Sequence, residues 1–139
     1  MATPYEMFKT DPKIEVEQGV VLDYGEFKIR IARAGGSNKR FERLLRARMK
    51  PHRRQFETDT LPEEVATKLM TGVYADAVVL GWEGVKDEDG KTLAFNRENV
   101  IKLFTDLPDL FRDVQAQAGL VSLFKVIELE EDEKKYPAA

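Results

Sequence analysis

Hydrophobic residues recur at two different periods along this chain. From Ile14 they alternate with polar ones: Ile14, Val16, Val20 and Leu22, then Phe27, Ile29 and Ile31. Tyr24-Gly25-Glu26 lies between the two runs. Alternation at period two with glycine at the joint predicts a β-hairpin, with strands near 14–23 and 26–33. A loop, Ala34-Gly35-Gly36-Ser37-Asn38, follows, and the period then lengthens. Phe41, Leu44, Leu45 and Met49 share one face of a helix that Ser37 or Asn38 would cap, with basic side chains on the other face. Pro51 ends or kinks that helix near Lys50.

Thr60-Leu61-Pro62-Glu63 matches a capping box, Thr60 being the cap and Glu63 reaching back. The apolar face Val65, Ala66, Leu69, Met70, Val73, Tyr74, Ala77 and Val78 predicts a helix from about Leu61 to Leu80, ended by Gly81 just before Trp82. Residues 83–95 read as a loop with a turn at Asp87-Glu88-Asp89-Gly90. Asn96 caps a short helix over 97–106, with Val100, Leu103 and Phe104 inward. Pro108 suits the first turn of a last helix over 108–129, with Phe111, Val114, Ala118, Val121 and Phe124 inward. Gly119 is its weak point, costing about 1 kcal/mol relative to Ala. The expected fold class is mainly α (α+β): an N-terminal β-hairpin followed by about four helices. Residues 1–13, with Pro4, Pro12 and no apolar period, read as a flexible arm. Residues 14–129 read as a single helical domain with its N-terminal hairpin, and 130–139 as an acidic, disordered tail.

Composition narrows the chemistry. The chain has 139 residues, 42% hydrophobic and 34% charged, which suits one globular domain with a heavily charged surface. No apolar run approaches the roughly 18 residues of a membrane span. Met1 to Lys13 has no apolar stretch behind a basic start, so no secretion signal is expected. Cysteine is absent, which removes disulfides, thiolate nucleophiles and thiolate metal sites; this alone fixes no compartment, and with no secretion signal expected the reducing cytosol is the default. His52 is the lone histidine and reads as an exposed loop residue beside Pro51. Ser37 and Ser122 are the two serines, and neither sits in a Gly-x-Ser-x-Gly elbow. Paired acids such as Glu63 with Glu64 occupy helix starts or turns, where solvation keeps a carboxylate from general acid–base work. Asp87, Asp89 and Glu98 have the outline of a calcium loop, but Lys91 and Thr92 stand at its fifth and sixth places, where a ligand and a glycine belong. Gly35-Gly36-Ser37 lacks the spacing of a phosphate loop and reads as a connector. The expectation is a binding protein, not an enzyme, with no cofactor and no metal.

Charge is divided into blocks. From Lys28 to Arg54 there are eleven Lys or Arg and one acid, Glu42, whereas Glu128 to Lys135 is mostly acidic, and the whole chain carries a formal charge of -3. Arg40, Arg43, Arg46, Arg48, Lys50, Arg53 and Arg54 are the candidate partner-binding residues. They suit an acidic protein partner, the chain's own acidic tail, or nucleic-acid phosphates, or else form a solvated face. With no base-reading module, nucleic acid is the weaker fit. Trp82, the only tryptophan, is either a core anchor beside the end of the long helix or an interface anchor.

The order of motifs adds a family resemblance. Val78-Val79-Leu80-Gly81-Trp82-Glu83-Gly84-Val85, then Asp87-Glu88-Asp89-Gly90, Leu93-Ala94-Phe95-Asn96-Arg97-Glu98-Asn99 and Pro108-Asp109-Leu110-Phe111 resemble the tail assembly chaperones encoded before the tape measure protein in long-tailed phages and prophages. The resemblance covers roughly residues 26–128. It implies a helical protein of the host cell cytoplasm that coats the tape measure protein, helps tail tube subunits assemble around it, and is generally absent from the finished virion. Many such proteins also exist as a longer frameshift product. Ring or spiral self-association would suit the role. The sequence by itself also admits a structural tail or connector component of the virion, or a small nucleic-acid-binding protein using residues 39–54.

Overall fold

The computed structural model describes residues 3–124. The fold is mainly α with a small antiparallel sheet. In chain order it consists of α1 (Pro4–Phe8), a π-helical turn (Ile14–Gln18), β1 (Val20–Asp23), β2 (Lys28–Ile31), α2 (Lys39–Met49), a 3-10 turn (Lys50–His52), α3 (Arg53–Glu57), α4 (Glu63–Ala77), β3 (Val79–Glu83), α5 (Arg97–Asp106), α6 (Pro108–Ala118) and a 3-10 turn (Val121–Phe124). The stretch read as an arm carries α1, whose N-terminus is closed by a capping box between Thr3 and Glu6. The acidic segment 130–139 lies outside the described residues.

The hairpin forms, with Val20 opposite Ile31 and Asp23 opposite Lys28, but its first strand is shorter than the alternation implies. Ile14 to Gln18 coils because the residue that must be inside there is Glu15, which has no exposed surface, while Val16 is 37% exposed. The Glu15 carboxylate accepts from the Thr10 hydroxyl, the Ser37 backbone N–H at 3.0 Å and Arg33 Nη1 at 3.1 Å. A buried carboxylate requires such partners. Gly19, at φ +68, returns the chain to the sheet; a Cβ there would collide with the Ile31 carbonyl.

Three further boundaries differ from the sequence expectation. The long helix stops at Ala77, not Leu80, and Val79–Glu83 becomes a third strand paired to β2, with Ile29 opposite Trp82 and Arg30 opposite Gly81. Two β-branched residues, Val78 and Val79, meet the unpaired edge of β2 there, and sheet hydrogen bonds replace another helical turn. The capping box at Thr60 does not form: Pro62 is itself the N-cap at ψ 139°, no side chain caps α4, and the Thr60 hydroxyl pairs with Thr58 at 2.8 Å. Gly119 ends α6 as its C-cap, so the helix expected to continue to 129 stops at Ala118. The remaining termini follow the sequence reading. Asn38 caps α2, Asn96 caps α5 and Pro108 opens α6.

Helix α4 is the centre, packed between α2 and α5, with α6 against α5. An aromatic relay joins the four helices. Phe41 of α2 meets Tyr74 of α4 edge-on at 5.6 Å, Tyr74 meets Phe111 of α6 edge-on at 5.2 Å, and Phe111 stacks on Phe104 of α5 at 5.0 Å. Such pairs contribute about 0.5–1.5 kcal/mol each beyond burial of their area. Ile29 and Ile31, both fully buried, close the core from the sheet.

The last carbonyls of a helix have no partner within it. At the end of α4 they are satisfied from elsewhere. Arg40 Nε donates to the Asp76 carbonyl at 3.1 Å, Asn38 Nδ2 to the Ala77 carbonyl at 2.8 Å, and the Ala32 N–H to the Val78 carbonyl at 2.7 Å. Asn38, 2% exposed, also donates to the Arg33 carbonyl at 2.8 Å and accepts from the Phe41 N–H at 3.3 Å. Asn38→Asp keeps a good N-cap but offers a carboxylate to two buried carbonyls. We expect it to lower unfolding stability by about 2–4 kcal/mol in urea titration, nearly as much as Asn38→Ala. A near-neutral Asn38→Asp would show that the cap alone matters.

Candidate functional site

Two surfaces flank α4. The first is the basic face of α2 and α3, and it is divided in use. Arg48 Nη2 reaches Asp76 Oδ2 at 2.6 Å, and Arg97 Nε of α5 reaches Asp76 Oδ1 at 2.8 Å. One carboxylate thus ties α2 and α5 to α4. A carboxylate near a helix C-terminus is unfavourable to the helix dipole, and the two guanidiniums offset this. Arg40 is engaged at the Asp76 carbonyl, and Arg53 pairs with Glu57 at 3.3 Å on an exposed surface, where such pairs stabilise little. Arg43, Arg46, Lys50 and Arg54 are exposed and have no carboxylate partner among the described residues. Of the seven basic candidates, the structure therefore sets these four toward solvent along α2, the 3-10 turn and α3, and engages Arg40 and Arg48 in bonds to α4.

Trp82 stands apart from that face, on β3. Its indole is half-buried against the core, Nε1 donates to the Leu93 carbonyl at 3.0 Å, and the ring meets Phe95 edge-on at 5.3 Å. It holds the 84–96 loop to the sheet. That loop turns at Asp87, whose Oδ1 accepts from the N–H groups of Asp89 and Lys91, both at 2.9 Å. His52 is half-buried and its Nδ1 pairs with Gln55 Oε1 at 3.0 Å.

The second surface is one that sequence reading missed. An open groove of about 720 Å³ runs between α4, α5 and α6. Met70, Ile101, Phe104 and Phe111 form its floor, and Glu63, Glu64, Lys68 and Arg112 stand along its rim. In sequence Ala66 and Met70 belong to the core-facing side of α4, and Ile101 is not singled out on α5; only the packing of the helices shows that they border a shared channel. Among the described residues no helix is long and apolar enough to cross a membrane.

Two carboxylates hold the fold electrostatically. Burial alone would raise both. For Glu15 the bonds from Thr10, Ser37 and Arg33 more than offset this and set it below its ordinary 4.5. For Asp76 the bonds and charges of Arg97 and Arg48 set it below 3.8. A depressed folded-state value means stability that is complete above the unfolded value and is lost as pH falls through the folded one. Stability should thus be flat from neutral pH to about 5 and fall below about 4. Asp76→Asn should cost about 1–3 kcal/mol at pH 7 and flatten the acid limb of a stability–pH curve. An unchanged limb would remove Asp76 from this role.

A family model described as YdaY prophage protein matches residues 36–135, well over half of the chain. No curated protein and no solved structure matches the chain. The matched segment begins ahead of α2 and contains both surfaces, whereas the hairpin strands β1 and β2 precede it. On this match the chain belongs to the YdaY prophage protein family.

Proposed function

We propose that this prophage protein is a tail assembly chaperone that binds the tape measure protein in the host cytoplasm and aids tail tube assembly around it, by binding and not by catalysis. The observation that carries the reading is the α4–α5–α6 groove, apolar along its floor and charged with both signs along its rim. That is the shape and chemistry that receives one face of an amphipathic helix. A long helical protein exposes apolar stripes until the tube encloses it, and exposed stripes associate indiscriminately. A half-open groove covers such a stripe with an affinity low enough to release it. The solvent-facing Arg43, Arg46, Lys50 and Arg54 would steer acidic segments of the same partner, an effect that weakens with salt.

One observation favours a second reading, a structural tail or connector subunit. Helix α1 displays Tyr5 at 81%, Phe8 at 66% and Met7 at 47% exposure, an apolar surface that would suit a neighbouring copy. Nucleic acid is the weaker third reading, because Arg40 and Arg48 are engaged internally.

Co-expression decides between them. The tape measure protein should become largely soluble with this chain, and Ala66→Arg, which sets a guanidinium in the groove, should return it to the pellet while leaving the variant folded by circular dichroism. Arg43→Glu with Arg46→Glu should weaken capture about tenfold at low salt and little at high salt. A tape measure protein no more soluble with this chain than without it would end the chaperone reading. Recovery of the protein in purified particles would favour the structural one, and a salt-sensitive gel shift lost in the double variant the nucleic-acid one.

A further inference from the structure

Beside the groove lies a smaller cleft of about 430 Å³, between α2, α4 and α5. Arg48, His52, Lys68, Gly72 and Arg97 border it. Asp76 takes Nη2 of Arg48 and Nε of Arg97. The nitrogens left over converge on Gly72. A Cβ built on Gly72 would lie 3.4 Å from Arg97 Nη2 and 3.6 Å from Arg48 Nη1. Gly72 is buried in mid-helix, where glycine costs about 1 kcal/mol relative to alanine. Its absent side chain leaves the backbone bare between two guanidinium nitrogens from different helices.

We infer that this cleft is a carboxylate site that takes an acidic side chain of the partner helix lying in the adjoining groove. The identity of the partner rests on the function proposed above; the carboxylate site itself does not. Two guanidiniums and one Asp76 leave a charge of +1 at Gly72, which a single carboxylate balances, and the Lys68 ammonium at the lip adds further attraction for an anion. Half-buried Val65, Leu69 and Ile101 line the rest of the cleft, which disfavours the more heavily hydrated phosphate dianion. Lys68 and Ile101 border both the cleft and the groove, so the two form one continuous surface. A helix with an apolar stripe in the groove would set a Glu or Asp at the edge of that stripe over Gly72. An oxygen resting on the Gly72 Cα would then accept from Arg48 and Arg97 together, a pairing that a neutral amide cannot reproduce.

Two arms test this. In the first, sodium acetate is titrated at constant ionic strength against chloride, and the Arg48 and Arg97 side-chain N–H resonances are followed by NMR, with inorganic phosphate as a parallel titrant. Acetate should shift both resonances to saturation, and phosphate should bind no more tightly. Gly72→Ala puts a methyl where the oxygen would rest; it should abolish the shifts while holding or raising the melting temperature. Arg97→Lys, which keeps the charge but loses the second converging nitrogen, should weaken acetate binding as read from the Arg48 resonance alone. Unsaturable shifts, tighter phosphate binding, or acetate shifts that survive Gly72→Ala would overturn the site.

In the second arm, a synthetic amphipathic helix with leucines on one face and a glutamate at its border is compared with its glutamine counterpart by fluorescence anisotropy. The glutamate peptide should bind about tenfold tighter, and Gly72→Ala should erase that preference without changing affinity for the glutamine peptide. Equal affinity of both peptides for the wild type would overturn the partner assignment and leave the groove reading standing. Acetate binding with neither peptide bound would instead sink the groove reading and leave the carboxylate site.

Discussion

The end of α4 is a point that the rest of the structure must satisfy. Helix α4 stops at Ala77 inside the molecule, and the terminal carbonyls of a helix cannot stay unpaired where water is excluded. Three residues from two segments answer that demand: Ala32 just past β2, Asn38 from the cap of α2, and Arg40 from its first turn. The Asp76 carboxylate adds α5 through Arg97. Sheet, α2 and α5 are thus located by their duty to one helix terminus, and the aromatic relay from Phe41 to Phe104 fills the space between them.

The surfaces follow from that arrangement. Because Arg40 and Arg48 turn inward to α4, the remaining cations of α2 and α3 form a narrower field than their count in sequence suggests. Because α5 packs on α4 and α6 packs mainly on α5, the apolar margins of the three helices are left as a channel in place of a closed core. The basic face and the apolar channel are therefore two outcomes of a single packing problem, and both fall within the segment that places the chain in the YdaY prophage protein family.

Much of this was legible in the residues. Asn38, Asn96 and Pro108 begin helices because their side chains or ring meet local requirements that tertiary structure does not override. What was not legible depends on distant partners. Val78 to Trp82 reads as the tail of a helix until β2 supplies an edge to pair with. Ile14 and Val16 look like an alternating strand because Glu15, polar by type, is the buried residue between them. Pro62 displaces Thr60 from capping because it already holds the extended backbone of an N-cap. Asp76 carries no signal of its own in the sequence, and only the approach of α2 and α5 makes it a junction. The groove had no signal in any one element, since it exists only between three.

The two ends of α4 are unequal. Its C-terminus is gripped by side chains from α2 and α5, while its N-terminus begins at Pro62 with no side-chain cap and with Glu63 and Glu64 at the mouth of the channel. Local opening begins where partners are fewest. A helix of 15 residues is a lever about 22 Å long, pivoted at Asp76. A tilt of a few degrees about that end would displace the other by about an ångström, so the Glu63 end of the channel is where its width depends most on how α4 is set.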